Sequence, residues 1–386
     1  MALNCRLGRI VRPKRLSRAK REREMSYVKD FIEKETLRRR EFLIGTALGL
    51  GGVAAATALG TNRAMAGENP SLAWSYRDRT NPYWNSIVSG AESFVESLGK
   101  PKSDLIHLIH DGSNEKCVAD IKALLSKTNG NAAIACDPND SPNCRPTVEA
   151  VKAAGGHIFT IWNKTDDLHP WDFGDNWVGH MSWSDLEPTT KTATMLFEAM
   201  GGSGGIVGLG GIAANIPAIE RHQGMMEAAK KFPDIKVLDY QAADWDTTKA
   251  NEIMASYLTT YGDEIKGVFC ANDTMAYGAI EALRAEGLAG KIPVVAYDGG
   301  AQAIEYILKD ELLVTCYTDP YWGGGIALSL AHAASTGKYK PSDEPQEHRE
   351  FYGPTLIVTK ADAQAFFDKH HKSHPEYNWG DYFGPT

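Results

Sequence analysis

Two polar side chains follow neighbouring predicted strands, at the point where each strand ends. Asn272 comes after the buried run Val268–Cys270, and Asp298 comes after the run Ile292–Tyr297. In open α/β sheets, ligands bind at the carboxyl ends of the strands. An amide and a carboxylate at that edge could hydrogen-bond a ligand that is rich in hydroxyl groups. The alternative is that both residues are only caps and turn formers, which their residue types also favour.

The residues after Asn272 predict a helix that begins at this edge of the sheet. Asp273 is a suitable N-cap, because its carboxylate can accept the free N–H groups of the first helical turn. Apolar residues then recur at helical spacing as far as Leu283. This interpretation leaves the amide of Asn272 free both to donate and to accept a hydrogen bond.

Strands alternate with amphipathic helices along most of the chain, which is typical of a doubly wound parallel sheet. The pattern occurs twice, and a chain of 386 residues is long enough for two lobes. We therefore predict an α/β fold of two parallel-sheet lobes joined by three hinge strands. The first lobe is expected in residues 70–183 and 319–353, the second in 184–318 and 354–372, and a tail in 373–386.

The stretch Thr165–Trp183 lies between the two series and is rich in Trp, Asp and His. It shows neither a helical nor a strand period, so we predict a long irregular loop. Its aromatic residues argue against disorder. Such a loop could cap a cleft between the lobes or serve as a surface for a partner.

Charge is divided unevenly along the chain. Residues 1–66 carry 15 Lys and Arg against 6 Asp and Glu, whereas the remainder carries 26 against 43. Because residues 67–386 carry this excess of negative charge, they are a poor binding partner for nucleic acid. The basic segment therefore needs a different explanation.

Residues 1–66 have the order of an export signal, which is basic, then apolar, then small. The run Arg39–Leu43 reads Arg-Arg-Glu-Phe-Leu, and a cleavage site of small residues ends at Ala66. Paired arginines are typical of twin-arginine signals, so we predict cleavage after Ala66 and a periplasmic protein. A single membrane-anchoring helix is the alternative, although the apolar run is short and rich in glycine. Met25 is a second candidate start, because the segment before the arginines is long.

Export implies an oxidising compartment, in which disulfides can form. Cys136 and Cys144 flank a turn-rich loop and could pair, whereas Cys117, Cys270 and Cys316 are expected to be buried and inert. The spacing of Cys and His residues fits no metal site.

Five short motifs occur in the order found in one protein family. The chain resembles the type I periplasmic substrate-binding proteins of sugar ABC transporters, the ribose- and galactose-binding class, over nearly all of residues 71–360. The motifs that carry the resemblance are Asn81–Trp84, Arg221–Gly224, Ala243–Asp246, Phe269–Gly278 and Val295–Gly299. It implies two lobes that close on a sugar, a monomer without enzyme activity, cofactor or metal, and delivery to an ABC permease.

The resemblance also implies which side chains contact the sugar. The expected polar contacts are Asn81, Asn272, Asp298 and Thr318. The expected rings over the faces of the sugar are Tyr83, Trp84 and Trp245. Aromatic rings pack on the C–H faces of sugars, whereas amides and carboxylates bind the hydroxyl groups.

The chain departs from the family at two places where the family often has an arginine. Trp162 and Asn163 stand where the family has Asp-Arg, and a ligand-binding arginine falls on Ile219. Asn215 could contact the ligand instead, while Arg221 aligns with an arginine of structural role. The predicted pocket thus loses two cations and gains a ring, which favours a neutral sugar or polyol over a sugar acid.

The main alternative is an exported NAD(P)-dependent oxidoreductase. The run Gly208–Ala213 fits a Gly-x-Gly-x-x-Ala fingerprint after a strand, and Asp239 ends the next strand. The acidic residue is farther away than the fingerprint requires, and Pro217 interrupts the pattern. A transcription regulator of the same fold is a weaker alternative, because residues 1–66 show no helix-turn-helix pattern.

Overall fold

The computed structural model describes residues 69–383, and the export signal predicted in residues 1–66 lies outside them. Within the described range the chain forms two six-stranded sheets, each the centre of one lobe. The strands of the first lobe are β1 (Ser71–Tyr76), β2 (Leu105–Ile109), β3 (Ala132–Cys136), β4 (His157–Ile161), β5 (Trp177–Trp183) and β11 (Glu350–Gly353). Its helices are α1 (Pro82–Ser97), α2 (Asn114–Lys127), α3 (Cys144–Ala154), α9 (Pro320–Ser335) and α10 (Gln346–Arg349).

The second lobe repeats this alternation of strand and helix. Its strands are β6 (Ser203–Gly210), β7 (Asp234–Ala242), β8 (Ile265–Cys270), β9 (Val294–Val295), β10 (Val314–Tyr317) and β12 (Leu356–Thr359). Its helices are α4 (Leu186–Ala199), α5 (Ile216–Ala229), α6 (Thr247–Tyr261), α7 (Asp273–Ala285), α8 (Ala301–Leu308) and α11 (Ala363–Phe367), followed by a π-helix at Asp368–Lys372.

The strand order confirms the predicted fold class. The first sheet runs β11-β5-β4-β3-β1-β2 and is parallel throughout, while the second runs β12-β10-β9-β8-β6-β7 with only β12 antiparallel. Within the described residues the chain passes between the sheets after Trp183, after Tyr317 and after Gly353. These crossings bring the carboxyl ends of the strands in both lobes to the edges that face each other.

Helices α1 and α9 pack closely against each other beside the first sheet. Asn81 caps α1, because its Oδ1 accepts the N–H of Tyr83 at 3.0 Å, and Pro82 suits the first helical position. A Cβ atom on Gly90 would lie 1.8 Å from the carbonyl oxygen of Tyr321, so only glycine permits this approach. The tight packing fixes the start of α1, and with it Asn81 and Tyr83, relative to α9.

The stretch Thr165–Trp183 is not a continuous irregular loop, so that prediction was wrong. It contains a 3₁₀ turn at Pro170–Phe173 and strand β5, which is buried along its whole length. A strand buried on both faces shows no alternation of polar and apolar residues, and this removed the period from the sequence. The guanidinium of Arg349 is buried and donates to the carbonyl oxygens of Pro170, Gly174, Trp177 and Val178, which holds the stretch against the first lobe.

The cysteines of residues 69–383 are buried free thiols, and Cys136 and Cys144 do not pair. Cys136 lies at the end of β3 and Cys144 at the start of α3. The thiol that neighbours Cys136 is that of Cys117, not that of Cys144. No helix among residues 69–383 is long and apolar enough to cross a membrane.

Candidate functional site

A cavity of about 260 Å³ lies between the facing edges of the two sheets. Nine of the ten residues expected to bind ligand line it, namely Asn81, Tyr83, Trp84, Trp162, Asn163, Asn215, Trp245, Asn272 and Asp298. The tenth, Thr318, is fully buried behind this wall, beside the phenol of Tyr83. None of residues 165–183 lines the cavity, so the Trp-rich stretch does not cap it in this conformation.

Aromatic rings form the wall of the first lobe. The indole N–H of Trp162 donates to the phenol oxygen of Tyr83 at 2.9 Å. Trp84 meets Tyr83 edge to face at a centroid distance of 5.2 Å, and Trp162 packs on Trp183 at 4.4 Å. Each ring is thus held by another ring or by a hydrogen bond, which gives a rigid apolar surface for a ligand.

Trp245 supplies the aromatic surface of the second lobe. Its indole N–H donates to Oδ1 of Asn215 at 2.7 Å. The ring covers Gly211, where a Cβ atom would lie 1.9 Å from it. Trp245 adopts φ 65°, a left-handed conformation that side chains rarely take. The strained backbone and the hydrogen bond together aim this ring into the cavity.

Asn272, rather than Asp273, is the N-cap of α7, so the predicted cap was wrong by one residue. Oδ1 of Asn272 accepts the N–H of Met275 at 2.9 Å, which leaves the amide nitrogen to contact the carboxylate of Asp298. Asp273 points inward instead, where its carboxylate accepts from Thr315 and from the N–H of Gly300. Oδ1 of Asn272 thus caps the helix, while its amide nitrogen faces Asp298 at the cavity wall.

Arg221 also lines the cavity, although its alignment implied only a structural role. It is buried, pairs with Asp185 at 3.1 Å and Asp298 at 3.5 Å, and donates to the carbonyl oxygen of Ala271 at 2.8 Å. The guanidinium lies 3.7 Å from the ring centre of Tyr297, a cation–π contact. The same side chain therefore braces the second lobe and orients the carboxylate of Asp298.

A second buried carboxylate lines the cavity from the first lobe. Asp137 follows β3, and its Oδ1 accepts from the amide of Asn163 at 2.9 Å. Burial raises the pKa of Asp137 to about 7, against the hydrogen bond from Asn163 and the nearby charge of Arg77. Asp137 was not among the residues predicted to bind ligand, although it follows a strand as Asn272 and Asp298 do.

Backbone strain concentrates at this site. Nine non-glycine residues of the described chain have positive φ. Six of them line the cavity, namely Asp111, Asn139, Trp162, Asp244, Trp245 and Asp298. Such conformations cost on the order of 1–3 kcal/mol each and persist where the surroundings fix them. Their clustering indicates a site in which side-chain direction matters more than local stability.

Hydrogen bonds across the cleft show that the lobes are closed. Thr274 donates to Oδ1 of Asn81 at 3.1 Å, and the amide of Asn215 donates to the carbonyl oxygen of Asn139 at 2.7 Å. The N–H of Ile216 also donates to Asn163, at 3.3 Å. A ligand in the cavity would therefore be surrounded by both lobes.

The cavity offers hydrogen-bond partners and rings rather than a catalytic arrangement. Among residues 69–383, no group of three or more His, Cys, Asp or Glu is placed to hold a metal ion. The dinucleotide alternative is not supported either. A Cβ atom on Gly208 would lie 2.2 Å from the ring of Tyr240, so the glycine makes room for the protein's own side chain rather than for a pyrophosphate.

Comparison with known proteins agrees with this geometry. A family model described as periplasmic binding protein domain matches residues 72–339. The crystal structure of a twin-arginine translocation pathway signal protein from Burkholderia phytofirmans is 46% identical, with a TM-score of 0.79 over 82% of this chain and 97% of that one.

Two related proteins have names that state a ligand. The D-allose-binding periplasmic protein of Escherichia coli is 28% identical over 272 residues, which cover 70% of this chain and 86% of that protein. The xylitol-binding protein of Mycolicibacterium smegmatis is 26% identical over 300 residues, covering 76% of this chain and 81% of that protein.

Proposed function

Because the chain belongs to the periplasmic binding protein family, we propose that it captures a neutral sugar or polyol between its lobes and delivers it to an ABC importer. The observation that carries this proposal is the closed cavity, to which both lobes contribute rings and hydrogen-bonding side chains. A cavity between two lobes removes most of a ligand's surface from water, as expected for capture at low concentration.

The charge around the cavity supports a neutral ligand. Six carboxylates line it, those of Asp78, Asp111, Asp137, Asp244, Asp246 and Asp298, against the two guanidinium groups of Arg77 and Arg221. Arg221 is already paired with two carboxylates. An anionic ligand such as a sugar acid would meet more negative charge than positive, whereas hydroxyl groups can donate to these carboxylates.

The rings support a ligand with apolar faces and a polar rim. Trp84 lines the cavity from the first lobe and Trp245 from the second. The C–H faces of a sugar ring can pack on such indoles, while its equatorial hydroxyls reach Asp298 and Asn81. The names of the related allose- and xylitol-binding proteins support a polyhydroxylated ligand.

Export and transfer complete the proposal. The paired arginines of residues 39 and 40 and the small residues before position 67 support export to the periplasm by the twin-arginine route. There the closed, loaded monomer would dock on an ABC permease, which distinguishes it from the open form by the relative position of the lobes. Binding then requires no cofactor and no metal, and neither catalysis nor nucleic acid has a part in it.

The test is a thermal-shift screen of residues 67–386 against pentoses, hexoses, polyols and the matching sugar acids. A ligand at 100 times its Kd should add about 2.7 kcal/mol to the free energy of unfolding. We expect neutral sugars or polyols to raise the melting temperature and their acids to have little effect. Stabilisation by a nicotinamide dinucleotide or by sugar acids alone would overturn the proposal.

A further inference from the structure

The C-terminal tail passes from the core of the second lobe to the core of the first. Phe366 of α11 packs in the second lobe, whereas Trp379 is buried in the first. This passage is additional to the crossings after Trp183, Tyr317 and Gly353. Residues 371–379, which we call the strap, make the connection.

The strap contacts both lobes within a few residues. On the second lobe, Nε2 of His371 lies 3.0 Å from the carbonyl oxygen of Gly299. On the first lobe, the ring of His374 stacks on that of Tyr321 at a centroid distance of 4.0 Å and an angle of 8°. Three residues span at most about 10 Å even when fully extended. Gly299 and Tyr321 can therefore separate only a short way before one of these contacts breaks.

Trp379 anchors the far end of the strap. Its ring lies over Gly325 of α9, where a Cβ atom would come within 2.2 Å of it. The hydroxyl of Ser329 donates to the carbonyl oxygen of Trp379 at 2.6 Å. Only 9% of Trp379 is exposed, so withdrawing it would return a large apolar surface to water.

The strap also contacts one of the hinge crossings directly. The phenol of Tyr377 donates to Oδ2 of Asp319, two residues after the end of the crossing strand β10. The other carboxylate oxygen of Asp319 accepts the N–H of Trp322 at 3.0 Å and caps α9. Asp319 adopts φ 46°, a strained conformation that these two contacts hold in place.

We infer that the strap is a fourth connection between the lobes that favours the closed cleft. Opening must either stretch it or break its contacts with one lobe, so each contact that is lost on opening stabilises the closed state. Tyr377 and Trp379 are thus positioning residues for ligand capture. The part of this inference that concerns affinity rests on the proposed function, while the part that concerns opening does not.

The test lengthens the strap without removing any of its contacts. Gly-Ser-Gly-Ser is inserted after Ser373 in the mature chain, and the control carries the same insertion after Asp381, beyond Trp379. We expect the first insertion alone to increase the ligand-free radius of gyration by small-angle X-ray scattering. Calorimetry with the sugar found in the screen should show a Kd raised about fivefold or more, through faster dissociation. Parent-like radius and Kd, or equal effects of both insertions, would overturn the inference.

A second variant releases the strap without an insertion, in case the inserted residues disturb folding. Gly325→Ala places a methyl group where the indole of Trp379 lies and should release the strap while favouring helix α9. We expect the same increase in radius with unchanged circular dichroism. If the screen finds no sugar, the proposed function fails, but the ligand-free scattering still decides whether the strap restrains opening.

Discussion

Nη1 of Arg221 lies 3.5 Å from Oδ1 of Asp298, and both side chains are buried at the cavity. The same guanidinium pairs with Asp185 at 3.1 Å, so one cation serves two carboxylates. Burial raises the pKa of Asp298 to about 7, with Arg221 acting against it and Asp185 adding to it. The carboxylate that we expect to hold hydroxyl groups is thus oriented by Arg221 and contacted by the amide of Asn272.

Asp298→Ala should weaken sugar binding by about 2–4 kcal/mol, because charge-assisted hydrogen bonds to hydroxyl groups are lost. The fold should survive, since Arg221 keeps Asp185 as a partner. The variant also removes the repulsion between the buried carboxylates of Asp298 and Asp185. Calorimetry measures the affinity and circular dichroism the fold, with Asp263→Ala on the surface as the control. A folded Asp298→Ala protein that binds like the parent would show that Asp298 is only a turn residue.

Arg221→Gln should lower the free energy of unfolding by about 3–5 kcal/mol, because it leaves two buried carboxylates without their cation. The control is Arg284→Gln, which removes an exposed arginine paired with Glu281 and Glu311 and should cost about 1 kcal/mol or less. Urea unfolding without ligand gives both values. Equal losses in the two variants would contradict the assignment of Arg221 as the brace of the second lobe.

Asp137 should make the ligand-free protein less stable as the pH rises. Its pKa is raised by burial from 3.8 to about 7, so the folded protein holds this proton more tightly than the unfolded chain. The free energy of unfolding therefore falls between about pH 4 and pH 7. Asp137→Asn should raise it by about 1–3 kcal/mol at pH 8 and change it little at pH 4.

Denaturant titrations at pH 4, 6 and 8 measure this dependence. Glu149→Gln, on an exposed face of α3, removes the same charge and serves as the control. If Asp137→Asn and Glu149→Gln shift the stability equally at each pH, burial of Asp137 is not the cause.

The sequence was sufficient to predict the lobes and most of the cavity wall. Asn272 and Asp298 follow buried strands, and polar residues at such ends line the cavity whichever lobe they come from. The same rule, applied to the first lobe, would have found Asp111 after β2 and Asp137 after β3. Neither strand end lies in one of the family motifs, so these two carboxylates had no second signal in the sequence.

Other features depend on packing that the sequence does not display. Arg221 belongs to one of the family motifs, but the sequence does not show that α5 packs beside α4. That packing lets its guanidinium reach Asp185, before α4, and Asp298, after β9. Strand β5 is buried on both faces, and the cation that holds the turn before it, Arg349, is far away in the chain. The positive φ of Trp245 is a property of the folded loop and leaves no trace in residue type.

Export should depend on the paired arginines, which lie outside the described residues. Arg39→Lys combined with Arg40→Lys keeps the charge, and the twin-arginine route requires arginine in particular, so the double variant should remain in the cytoplasm. Fractionation and immunoblotting measure its location, and mass spectrometry of the exported parent should place its first residue at Gly67. The control is Arg63→Lys, close to the cleavage site. Normal export of the double variant would show that another route carries the protein.

Trp245→Ala should weaken sugar binding by about 1–3 kcal/mol, because the ligand loses an apolar surface that the second lobe holds in place. Trp245→Phe keeps a ring but loses the hydrogen bond to Asn215, so its loss should be smaller. Trp171→Ala is the matched control, since Trp171 stacks on His169 outside the cavity.

Calorimetry on the three variants, with urea unfolding of each, separates binding from stability. We expect the highest Kd for Trp245→Ala and an intermediate Kd for Trp245→Phe. The Kd of Trp171→Ala should equal that of the parent. If Trp245→Phe loses as much affinity as Trp245→Ala, the hydrogen bond to Asn215 rather than the ring surface governs capture. If Trp245→Ala binds like the parent while folded, the ligand lies against the rings of the first lobe alone, and the cavity is not a two-sided clamp.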